Sequence, residues 1–113
     1  MFSRDERLRI DEELEKAEAA RTFRNEGKAR VCARRAAGEA IRSFLGSQNL
    51  SPGLSSAYDL LGYIQTIEGV PTRVKEAASL LRLRVNADHQ IPVEADLLAE
   101  ARILVAGLEQ LAG

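Results

Sequence analysis

Leu97, Leu98, Ala101, Leu104, Val105, Leu108 and Leu111 recur at spacings of three and four, so they fall on one side of a 3.6-residue helix. No stretch of the chain alternates apolar and polar residues with a period of two, which is what a half-buried strand requires. A chain with the first pattern and without the second has one way to build a core, which is to pack helices on helices. The last helix is predicted over about Val93 to Ala112.

The rest of the chain repeats the pattern. Ser3 and Glu6 have capping-box spacing, and the acidic cluster Asp11-Glu12-Glu13 follows early in a predicted helix from about Arg4 to Arg24. Its apolar stripe is thin: Ile10, Leu14, Ala17 and Ala20 or Arg21. Asn25-Glu26-Gly27 is expected to interrupt it. A second helix is predicted from about Lys28 to Leu45, with Ala29, Ala33, Ala36, Ala37, Ala40, Ile41 and Phe44 on one face. A face built mainly of alanine lets a partner helix approach closely, and Gly46 is expected to end this one.

After a loop rich in Ser, Asn, Gly and Pro, a third helix is predicted from about Ser55 to Ile67. Gly69 and Pro71 separate it from a fourth, with Pro71 at the first helical position. The fourth buries Val74, Ala77, Ala78, Leu81 and Val85. Short connections between such helices favour an all-α, up-and-down antiparallel bundle of about five helices, in a single domain of 113 residues.

Composition excludes several classes of function. One cysteine, Cys32, rules out an internal disulfide, and one cysteine with one histidine cannot build a zinc site within the chain. No Gly-rich phosphate loop with a lysine is present, and no cofactor is expected. No apolar run approaches the roughly 20 residues of a membrane span, and the polar N-terminus lacks a signal-peptide pattern. The expected location is the cytoplasm, with no membrane partner. The net charge of −1 gives no global attraction to nucleic acid.

Locally the charge is uneven. Arg21, Arg24, Lys28, Arg30, Arg34, Arg35 and Arg42 face only Glu26 and Glu39, whereas acidic residues dominate beyond Val85. This split reads either as a phosphate-facing surface or as a solvated helix face with internal pairs such as Arg35 to Glu39. Near its end the fourth helix runs into Arg84-Val-Asn-Ala-Asp-His89, just before Ile91-Pro92. Arginine holds phosphate with a planar fork of donors, and imidazole moves a proton near neutral pH. Asp88 stands four residues from Arg84 and so pairs with it equally well, leaving an ordinary helix-ending arginine and a surface histidine as the other reading.

Leu83-Arg84-Val85-Asn86-Ala87-Asp88-His89 resembles the signature of the HEPN domains, small prokaryotic helical bundles. One family pattern is an arginine followed after four to six residues by a histidine, found in members that cleave RNA. Another is Arg-x-x-Ala-Asp-Tyr, and this chain carries His89 where that branch has tyrosine. The segments Glu15 to Ala20, Ala33 to Ile41 and Ala99 to Leu104 are similar to the family's first, second and last helices.

The resemblance implies a homodimer, often encoded beside a small nucleotidyltransferase as a toxin–antitoxin pair. It implies catalysis of RNA cleavage without a metal, by Arg84 and His89 converging from both protomers; beside that pair, Asn86 and Asp88 are read from the residues as supporting. From the residues themselves, Arg34, Arg35 and Arg82 are the expected RNA- or phosphate-binding residues, with Arg34 and Arg35 predicted to line the same cleft as Arg84. The alternative is a non-catalytic helical module that binds a nucleotidyltransferase or another protein, with Arg84 and Asp88 structural.

Overall fold

The computed structural model describes residues 1–83 and 95–112. Among them the chain is all-α, with five helices and no strand: α1 (Arg4–Thr22), α2 (Glu26–Ser47), α3 (Ala57–Ile64), α4 (Thr72–Leu81) and α5 (Leu97–Ala112). α2 is the hub. It packs along α1 and α5 and meets α3, while α4 closes the other side of α5 and touches α3.

The apolar stripes explain this arrangement. Ala33, Ala36, Ala37, Ala40 and Ile41 are fully buried, and the small side chains of the alanines allow α1 and α5 to approach α2 closely. Ile10, Leu14 and Ala17 of α1 enter the same core, together with Leu97, Leu98, Ala101, Leu104, Val105 and Leu108 of α5. The exception in the α5 stripe is Leu111, which is 39% exposed. α3 contributes Leu60, Leu61 and Ile64; α4 contributes Val74, Ala77, Ala78 and Leu81.

The helix ends depart from the sequence-based boundaries in instructive ways. The capping box forms as its spacing predicts: Glu6 N–H donates to Ser3 Oγ, and Ser3 N–H donates to Glu6 Oε1. The break between α1 and α2 is not at Gly27, which lies within α2. Arg24 takes the left-handed conformation instead (φ 59°), and Asn25 N–H donates back to the Ala20 carbonyl at 2.7 Å. That closure usually uses glycine. Asn25 then caps α2 by accepting from Lys28 N–H.

Gly46 does not end α2 either; the helix runs one residue further. Asn49 adopts the left-handed turn (φ 58°), and Leu50 N–H donates to the Leu45 carbonyl. α3 is shorter than predicted at both ends, starting after its cap, Ser56, which accepts from Asp59 N–H. Pro71 is the cap of α4 rather than its first residue. α5 begins four residues later than predicted, where the Asp96 carboxylate accepts from Ala99 N–H.

Candidate functional site

The arginines of α2 are separated by the helix period. Lys28, Val31, Arg35 and Arg42 lie at spacings of three, four and seven, so they form one stripe, and all four are exposed. Arg34 is rotated from that stripe toward the core and is half-buried. Beside the stripe lies a cleft of about 440 Å³, lined by Arg34, Arg35 and Arg42, by Glu13 of α1 and Glu39 of α2, and by Val31, Gly38, Ser55 and Ala57.

Gly38 sets the shape of one wall. A Cβ there would come within 3.0 Å of the Ala57 Cβ, so the absence of a side chain is what allows α3 to begin against α2. The start of α3 is also held from the arginine side, where Arg42 Nη2 donates to the Ser55 carbonyl and Nη1 donates to Glu39 Oε1 at 2.9 Å. Glu39 is shared with Arg9 of α1 at 3.7 Å. The pairing expected between Arg35 and Glu39 therefore does not form.

Each cation here has a different occupation. Arg34 Nε donates to the Leu81 carbonyl at 2.6 Å, and its Nη2 donates to the Leu83 carbonyl. Carbonyls at a helix C-terminus lack intrahelical donors, so this guanidinium caps α4 from across the bundle. Arg35 has no ion-pair partner among the described residues. Glu13 Oε1 lies 3.5 Å from Lys16 Nζ, while its buried Oε2 has no hydrogen-bond partner among the described residues.

Arg82 belongs to another contact. Its Nε donates to the Tyr58 carbonyl at 3.0 Å, and its guanidinium carbon sits 4.0 Å above the Tyr58 ring. A side chain at Gly62 would meet that carbon at 2.9 Å, so the glycine makes room for the arginine on α3. Arg84, Asn86, Asp88 and His89 lie outside the described residues.

No protein-family model, no curated protein and no solved structure matches this chain.

The geometry thus joins Arg34 and Arg35 in one cleft and ties Arg34 to the backbone directly before Arg84. Arg82 instead stands against α3. Residues the sequence reading did not single out as site residues are Arg42, Glu13, Glu39 and Ser55. The spacing of Lys28, Val31, Arg35 and Arg42 was the available signal for Arg42. Nothing local marks Glu13 or Ser55, which arrive from other helices. Among the described residues, no three His, Cys, Asp or Glu side chains converge as metal ligands, and no helix is long and apolar enough to cross a membrane.

Proposed function

We propose that this chain is an RNA-interacting protein of the HEPN type, acting in the cytoplasm as a metal-independent endoribonuclease. The observation that carries this reading is the cleft on α2. Arg35 stands there without an ion-pair partner, and Arg34 beside it grips the Leu83 carbonyl, one residue before the Arg84-to-His89 segment. A phosphate chain lying along α2 would meet cations there and reach that segment at the end of α4.

In this mechanism the RNA 2′-hydroxyl attacks the adjacent phosphorus. His89 serves proton transfer as the O2′–P bond forms and the P–O5′ bond breaks, and Arg84 stabilises the charge on the phosphorane. The products are a 2′,3′-cyclic phosphate and a 5′-hydroxyl. The active form is a homodimer that brings both protomers' pairs to one cleft, in the manner of a toxin held in check by a nucleotidyltransferase antitoxin.

The test is cleavage of end-labelled RNA in excess EDTA. His89→Ala and Arg84→Ala are each expected to slow cutting by about 10²-fold or more. Equal cutting by all three proteins, or none by the wild type, overturns the nuclease. A second reading has its own support, in that Arg34 and Arg82 both spend donors on main-chain carbonyls. Such a chain would be a non-catalytic module that docks a nucleotidyltransferase or another protein, and it would cut nothing.

A further inference from the structure

Phe23 is the most exposed aromatic residue of the chain, at 83%, and it sits on the three-residue connection between α1 and α2. The connection needs no aromatic ring there. Its backbone closure is made by Arg24 and Asn25, and the Phe23 N–H donates to the Ala19 carbonyl as any residue's would. A bare phenyl ring in water is unfavourable, so a surface that covers it gains on contact.

The residues that flank Phe23 along the chain say what kind of surface that is. Arg24 follows it directly, in a left-handed turn, and Lys28 lies in the first turn of α2 with its amide held by Asn25. Both are exposed, and neither has an ion-pair partner among the described residues. The nearby carboxylate, Glu26, is already taken by Arg21 at 3.3 Å. From Lys28 the exposed stripe continues to Arg35, about 10 Å further along the helix at 1.5 Å per residue. The N-terminal end of α2 adds a positive potential of the same sign.

A protein interface would pair an exposed ring with further apolar surface and few lysines. Phe23, flanked along the chain by cations without ion pairs and with Val31 as the one apolar residue of the stripe between Lys28 and Arg35, fits a different ligand, one with flat faces and a charge on every unit. We propose that the α1–α2 corner is a stacking platform for single-stranded RNA. A base lies on the Phe23 ring, the phosphates on either side of it meet Arg24 and Lys28, and the strand runs along α2 toward Arg35. The inference rests on the RNA reading given above and adds to it the place where the strand is held.

Binding of a fluorescein-labelled 2′-fluoro oligouridylate, which lacks the attacking hydroxyl, tests it in EDTA by anisotropy over a series of salt concentrations. Phe23→Ala is expected to weaken binding about tenfold, whereas Phe23→Tyr binds as the wild type does. Lys28→Gln is expected to lower the dependence of affinity on salt. The chain has no tryptophan, so Phe23→Trp supplies a unique reporter whose emission should be quenched by the stacked base. Equal binding by the wild type and Phe23→Ala, with no quenching in Phe23→Trp, overturns the platform and leaves the RNA reading standing. A blue shift of the Phe23→Trp emission with protein concentration alone also overturns it, because the ring then meets a second copy of the chain. No binding by any of these proteins overturns both readings together.

Discussion

At the scale of single residues, three arginines of one chain do three different jobs. Arg34 fastens α2 to the end of α4, Arg82 lies on Tyr58, and Arg35 is held by nothing among the described residues. Their stability effects should separate accordingly. Arg34→Met keeps the apolar stem but strips the donors from two C-terminal carbonyls, at an expected cost of about 2 kcal/mol in urea unfolding. Arg35→Met removes an exposed cation with no ion pair, and its unfolding midpoint should move by less than about 0.5 kcal/mol. A loss of stability in Arg35→Met equal to that in Arg34→Met would contradict these assignments. Sequence spacing could not have sorted them. Arg34 and Arg35 are adjacent in the same alanine-rich helix, and what divides them is 100° of rotation relative to a helix some fifty residues away.

At the scale of elements, the helices were legible because each carries its own apolar stripe, and the capping box gave the start of α1, whereas most of the other ends were not. Ends are set by which residue accepts the left-handed turn, and Arg24 and Asn49 do so here in place of nearby glycines. Three other glycines, Gly38, Gly62 and Gly107, are the ones set against a neighbouring side chain. Gly107 of α5 is the sharpest case, since a Cβ there would fall 2.5 Å from Val74 Cγ2 of α4. Val74 is β-branched and buried, so it has little room to turn away. Gly107→Ala should therefore destabilise the protein by about 1–3 kcal/mol, although alanine is the better helix former by roughly 1 kcal/mol. Thermal unfolding followed by circular dichroism checks this. Adding Val74→Ala should recover part of the clash, and a stabilised Gly107→Ala would show that α4 and α5 do not pack as described.

At the scale of the whole molecule, Arg21 gathers one end of the bundle. From the last turn of α1 it contacts Glu26 at the start of α2, at 3.3 Å, and Asp96 at the start of α5, at 3.0 Å. The hydrogen bond from Arg21 holds the Asp96 carboxyl below its ordinary value of 3.8, with the Ala99 N–H and the positive charge of Arg21 adding to it. A carboxyl lowered by folding binds its proton more readily in the unfolded chain. Its contribution to stability is thus complete above that ordinary value and is lost as the pH falls through the depressed one. Urea midpoints should decline across this acid range in the wild type and decline less in Asp96→Asn. Identical slopes in the two proteins would mean that the Arg21 contact does not couple the helix ends.

The sequence by itself determined that this chain is all-α, and which face of each helix is buried. Those properties follow from apolar periodicity, a local quantity written within each segment. Only the tertiary structure decided which polar residues meet. Glu13, Arg35 and Ser55 share a cleft, and Arg34 reaches Leu83, because three separate helices are brought to one side of α2. Side-chain contacts between distant segments depend on the rotation of each helix about its axis and on where its neighbour begins. Here those are set by features with no periodic signal: the space left by Gly38 and Gly62, and the left-handed turns at Arg24 and Asn49.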